Sequence, residues 1–241
     1  MGGIVLQGFI AGLGTCLGAI AVIIFGRMRP GTHSFILGLA SGIMSAVVVF
    51  DLLPSALRYS SPLSALAGFL AGIILMAALG QSLNLLFPST FTFHARDYLK
   101  MGYLIATGIA LHDFPEGLAI AAGFAAADKL GPLLVLAIGL HNIPEGMATA
   151  APLRQGGLSS GRILALNILI SLITPFGTFA GIAMLDYSMS FIGLLLAFAA
   201  GAMTYIVLGE LAPESCRNSK LLAYLGILLG VALILTFGFI A

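Results

Sequence analysis

Apolar runs of roughly twenty residues alternate along this chain with short polar breaks. They lie near 3–25, 35–57, 64–87, 99–126, 132–153, 160–185, 191–212 and 221–241. A helix of about twenty apolar residues covers the hydrocarbon core of a bilayer, and within lipid it satisfies its own backbone polar groups. The pattern predicts an all-α membrane protein of eight transmembrane helices, forming one domain over residues 1–241. Breaks are expected at 27–31, 60–62, 93–96, 128–132, 154–157, 186–188 and 217–220. Rich in Gly, Pro and Ser, they read as tight turns between antiparallel neighbours.

Composition strengthens this reading. The 241 residues are 60% hydrophobic and 8% charged, with a mean hydropathy of +1.12, whereas soluble domains carry about 25% charged residues. So few charges cannot coat a water-soluble protein of this size, and the lipid bilayer is the expected partner. A net charge of +1 without a basic block disfavours nucleic acid. Arg27, Arg29, Arg96, Lys100, Arg154, Arg162, Arg217 and Lys220 belong to alternate loops, against Arg58 and Lys129 in the others. The positive-inside rule then places the first set in the cytoplasm and both termini outside. Cys16 and Cys216 offer neither a disulfide framework nor zinc-finger spacing, and both read as packing or chance.

Two segments repeat. Leu111-His112-Asp113-Phe114-Pro115-Glu116-Gly117 returns as Leu140-His141-Asn142-Ile143-Pro144-Glu145-Gly146 in the fourth and fifth predicted helices. In the second and seventh, Gly42-Ile43-Met44 followed by Asp51 and Pro54 matches Gly201-Ala202-Met203 followed by Glu210 and Pro213. Each pair is separated by an odd number of helices, so its members run in opposite directions. That is an inverted repeat, an architecture that places transporter sites near the midplane.

Within a helix, residues four apart share a face. His112 with Glu116, and His141 with Glu145, therefore each aim at one point, and Asp113 and Asn142 share part of that face. A charge at the bilayer centre costs at least ~2.5–3.5 kcal/mol, and three neighbouring carboxylates repel one another. A bound divalent cation, or protons, relieves both penalties. Imidazole nitrogen with carboxylate oxygen suits zinc, iron and manganese. Met44 offers a thioether from the second helix, equally readable as core packing. Asp51 and Glu210 read as entry and exit stations, or as hydrated acids near helix ends, with Arg58 as a partner for Asp51. Ser171, Thr174 and Pro175 are expected to interrupt the sixth helix. The pairs Gly14/Gly18, Gly68/Gly72 and Gly177/Gly181 are expected to seat helix crossings.

The tandem motifs at 112–117 and 141–146, with the segments around Met44 and Glu210, resemble the ZIP family of divalent metal transporters (ZRT/IRT-like proteins). The resemblance implies eight helices in a 3+2+3 arrangement, termini outside the cell membrane and a homodimer. It also implies uptake of Zn²⁺, or of Fe²⁺, Mn²⁺ or Cd²⁺, toward the cytoplasm, with the metal as substrate rather than cofactor. His112, Glu116, His141 and Glu145 would be primary ligands, with Glu116 and Glu145 bridging two ions. Asp113 and Asn142 would hold the second ion, Met44 would approach the first, and Glu210 would serve the exit. Some relatives have Asn and Asp where this chain has Asp113 and Asn142, and others have Glu at Thr174. An intramembrane metal-dependent hydrolase is the alternative, although His-Glu-x-x-His is missing. A structural protein or proton channel is a third reading.

Overall fold

The computed structural model describes residues 2–26, 29–86, 93–126, 130–184 and 189–240. All regular structure among them is helical: α1 (Gly2–Phe25), α2 (Pro30–Val47), α3 (Leu53–Tyr59), α4 (Pro62–Leu86), α5 (Phe93–Ala126), α6 (Leu130–Gln155), α7 (Ser160–Ser171), α8 (Ile173–Met184), α9 (Met189–Ile206), α10 (Ala212–Asn218) and α11 (Lys220–Ile240). Six spans in the described residues are long and apolar enough to cross a bilayer, including Pro30–Tyr59, Ser160–Met184 and Ser190–Asn218 as continuous units. α6 is not among them, because its centre carries His141, Asn142 and Glu145. Large apolar side chains such as Leu6, Ile24, Leu63, Ile74, Phe176 and Leu228 are exposed on the outer faces. Exposed apolar area on this scale is what contact with lipid requires.

The second and seventh predicted helices each contain an unpredicted feature. Val48–Leu52 and Val207–Leu211 form π-helical turns, each followed by a short α-helix with proline in its first turn. The N–H of Leu53 reaches back to the carbonyl of Val48, and that of Ala212 to Val207. Pro54 and Pro213 cannot donate to the carbonyl four residues earlier, and their rings would crowd it in a regular α-helix. The wider turn accommodates them at the cost of one extra residue per turn.

Other boundaries also move. Phe93–Arg96, expected to be a break, lies in the first turn of α5, and the second helix begins at Pro30 rather than 35. Proline is favourable there because its missing N–H would be unpaired in a first turn anyway. The sixth predicted helix is interrupted at Leu172, between α7 and α8, beside the expected Ser171, Thr174 and Pro175. Gly157, with φ 88°, ends α6 in the left-handed conformation. Arg27, Lys129 and Asp186, which entered the loop reading, lie outside the described residues, as do Phe87 and Ala241.

Sequence neighbours are not the main packing partners, apart from α5 with α6. α1 lies along α6, α8 along α5, α11 along α2, and α9 along α4. Glycine decides these pairings, because a missing Cβ lets one backbone rest on another. Gly14 and Gly18 rest on the carbonyls of Gly139 and Ile143, and Gly146 rests on that of Thr15. Gly117 and Gly177 bring α5 against α8 at Thr174 and Phe114. Gly42 and Gly230 join α2 to α11, while Gly72 and Gly201 join α4 to α9. The backbone-close crossings thus tie α1, α5, α6 and α8 into one group, and tie α2 with α11 and α4 with α9 in another. Between these groups lie the side chains of Met44, Met76, Leu104, Ile105, Met203 and Ile206, all fully buried.

Candidate metal centre

α5 and α6 carry the two repeated motifs and lie against each other. Both helices continue through their internal prolines, Pro115 and Pro144. The centre is therefore on the fifth and sixth α-helices, not the fourth and fifth as expected. The π turn after Val47 divides the second predicted helix into α2 and α3 and advances each later ordinal by one. Residues 112–116 and 141–145 remain in the segments expected for them.

The expected convergence is present. His112 Nε2 lies 2.7 Å from Glu116 Oε1 on its own helix, and His141 Nε2 lies 2.6 Å from the same oxygen across the interface. Glu145 Oε1 stands 3.8 Å from His112 Nε2. The His112 and His141 rings are tilted by 36°, with centroids 6.3 Å apart. His112, His141 and Glu145, and likewise His112, Asp113 and Glu116, each bring one ligand atom within 4.8 Å of the others. His112, Asp113 and Glu145 are completely buried, while Glu116 and His141 retain 5% and 8% exposure.

Much of this donor set has no hydrogen-bond partner. Both oxygens of Glu145, both of Asp113, Glu116 Oε2 and both ring nitrogens of His112 are buried without one. The short His112–Glu116 contact lacks hydrogen-bond alignment, unlike that of His141 with Glu116. Unpaired buried polar groups are costly. No Lys or Arg ion pair reaches the cluster among the described residues. Two imidazoles and several carboxylate oxygens sharing one dry space form a donor set that one divalent cation would satisfy.

The remaining expected residues divide. Asp113 faces Thr174 on α8, yet neither side chain forms a well-aligned hydrogen bond. Asn142 turns its amide toward α1 and donates to the carbonyl of Ala11 at 3.2 Å, leaving Oδ1 unpartnered. Met44 is completely buried in the apolar core between the two helical groups. Asp51 is exposed, accepts from Ser55 Oγ at 3.5 Å, and lies within electrostatic reach of Glu116, His141 and His112. Glu210 instead interacts with Lys100, Glu214 and Asp97. The two acids occupy equivalent repeat positions, but only Asp51 senses the centre.

α1 was absent from the sequence-based site. Thr15 is buried with a free hydroxyl, Ala11 anchors Asn142, and the Cys16 thiol lies 3.5 Å from Ser171 Oγ. The Gly14/Gly18 spacing was the available signal, since it brings this helix against α6.

The profile described as ZIP Zinc transporter matches residues 91–238. The chain belongs to the ZIP family. Along most of its length it is similar to Zinc transporter GufA of Myxococcus xanthus, 31% identical over 230 residues and covering 90% of each protein. It is similar also to Zinc transporter ZupT of Corynebacterium glutamicum, at 34% identity over 87% of this chain and 88% of the relative. The ZupT of Chlorobium luteolum is 33% identical over 92% of both chains. Family membership makes this chain a membrane transporter rather than an enzyme, and nothing supports the hydrolase reading.

Proposed function

We propose that the protein carries divalent transition-metal ions, Zn²⁺ foremost, across the cell membrane toward the cytoplasm. Fe²⁺, Mn²⁺ and Cd²⁺ are the competing substrates. The observation that carries this reading is the dry cluster of His112, Glu116, His141 and Glu145, with most of its donors unpaired. These four are the primary ligands, and Glu116 Oε1, shared by two imidazoles, is the pivot. Asp113 and Asn142 belong to the second ion position, which Thr174 leaves one carboxylate poorer than in relatives with Glu there. Met44 approaches the first ion during transport. Asp51 draws cations in, and Glu210 receives them on the way out.

Eight spans in a 3+2+3 inverted repeat fit the helix pairing, and the distribution of basic residues favours both termini outside. Exchanging the first three rods with the last three, and α5 with α6, turns the α1–α6 pair into the α8–α5 pair. The same exchange turns the α2–α11 pair into the α9–α4 pair and places one π turn over the other. Glycine crossings hold each helical group together, while an apolar side-chain layer separates them. Alternating access by motion of one group against the other follows from this division. A homodimer is the assembly we expect, by analogy with the family.

The test is metal uptake into proteoliposomes containing the purified chain, with Zn²⁺ and competing Cd²⁺, Fe²⁺ and Mn²⁺. Zinc should accumulate in vesicles containing the unaltered protein and not in those containing H112A/H141A. Equal uptake by both would overturn the assignment of the centre.

A further inference from the structure

The repeated segments that begin at Gly42 and Gly201 share a glycine, a methionine two residues on, an acid and a proline. All but the methionine have a local reason. Gly42 rests on the carbonyl of Ile227 and Gly201 on that of Phe69, so each glycine seats a helix crossing. Asp51 and Glu210 lie within the π turns, and Pro54 and Pro213 follow them. Met44 and Met203 are completely buried in the apolar layer between the two helical groups, where leucine would supply the same bulk. What leucine lacks is the polarizable sulfur.

The register of α9 against α5 places the second methionine. A cavity of about 390 Å³ is lined by Asp97, Tyr98 and Met101 near the start of α5 and by Gly209, Glu210 and Pro213 just beyond α9. The two helices therefore run antiparallel. Farther from that cavity, Ile206 Cδ1 occupies the space that a Cβ on Gly108 would need. One more turn brings α5 to His112, four residues after Gly108, and α9 to Met203, three residues before Ile206. Residues three and four apart share a helix face, so Met203 stands on the face of α9 turned toward α5, level with His112. Side chains lean toward the N-terminus of their helix, which here is away from the cavity and along α5 toward Glu116. Met44 has the corresponding setting, because its helix α2 packs on α6, the carrier of His141.

We propose that Met203 is a thioether ligand for the ion in transit, the counterpart of Met44 from the other repeat, and that the pair sets selectivity. This role presupposes the transport reading. The sulfur donates a lone pair, and no proton is released. Being uncharged, it adds a donor to the apolar layer without the cost of burying another carboxylate. Soft ligands of this kind favour Zn²⁺ and Cd²⁺ over the harder Mn²⁺ and Mg²⁺.

Met203→Cys is made in the full chain together with Cys16→Ser and Cys216→Ser, and the purified protein is titrated with Cd²⁺ in detergent. Cd–thiolate charge-transfer absorption should appear near one equivalent, and adding H112A/H141A should weaken that binding about tenfold or more. Ile206→Cys, one turn nearer the cavity, should give no band at that ratio. Absence of the Met203→Cys band, its indifference to H112A/H141A, or an equal band from Ile206→Cys would overturn the role. In proteoliposomes, Met203→Leu keeps the side-chain volume, the kind of exchange a core tolerates best. It should lower the uptake preference for Cd²⁺ over Mn²⁺ several-fold, and Met203→Cys should restore it. A methionine that only packs would alter both uptakes alike, so an unchanged preference in Met203→Leu also overturns the role. Zinc uptake by the unaltered chain is measured separately: its absence sinks the transport reading, whereas uptake without the Met203→Cys band removes the thioether role alone.

Discussion

His141 Nε2 and Glu116 Oε1 lie 2.6 Å apart across the α5–α6 interface, although 25 residues separate them in the chain. The same oxygen is 2.7 Å from His112 Nε2, so a single carboxylate oxygen joins both motifs. Glu116→Gln keeps the shape and removes the charge. Removing a neighbour that only supports a metal ligand costs about 10–100-fold in affinity, and losing the pivot should cost at least as much. Zinc titration of the purified protein measures it, and an affinity within twofold of the parent would contradict the shared-ligand role.

Acid should oppose loading. Imidazole must be neutral to ligate, so protons and metal compete for His112 and His141, and lowering the pH favours the protons. Zinc uptake at subsaturating metal should therefore fall as the outside pH drops from about 7.5 to 5.5, and saturating zinc should restore it. A fall that excess zinc does not relieve would point to another titrating step.

The two repeat acids should give different kinetic signatures. Asp51 lies within electrostatic reach of the centre, so Asp51→Asn should raise the half-saturating zinc concentration by roughly three- to tenfold and preserve the maximal rate. Glu210 interacts with Lys100, Glu214 and Asp97, so Glu210→Gln should lower the maximal rate and leave half-saturation near its parent value. Identical behaviour of the two variants would remove the distinction.

Helix crossings at the centre predict a sharp penalty for small enlargements. A Cβ at position 146 would collide with the carbonyl of Thr15. Overpacking of this kind typically costs about 1–3 kcal/mol. Gly146→Ala should lower the thermal midpoint in detergent, whereas Gly161→Ala, with open space around it, should not. Equal midpoints for the two variants would show that α1 and α6 separate easily.

The chemistry was legible in the sequence because it is local. The spacing of His112 to Glu116 and of His141 to Glu145 within helices fixes two half-sites, and the repetition suggests that they meet. What the spacing could not supply was the angle beyond residue 47. Met44 and Asp51 are seven residues apart, a separation that in an α-helix puts both on one stripe. The π turn after Val47 breaks the stripe, leaving Met44 completely buried and Asp51 exposed. Met203 is likewise buried while Glu210, inside its own π turn, reaches a different cavity. The part played by α1 was hidden for another reason: its contacts with the centre run through the Ala11 carbonyl and through glycine, neither of which has a side-chain signature.

Around the two half-sites, the peptide planes at Thr15, Phe114, Ile143 and Thr174 press against Gly146, Gly177, Gly18 and Gly117. The packing that holds the half-sites together is therefore partly main chain on main chain, identical in composition whatever the residue. Systematic truncation of side chains would recover the histidines and carboxylates and leave these crossings blank on the map. The closeness of these helices thus depends on a few positions where nothing larger than hydrogen fits, whatever side chains surround them.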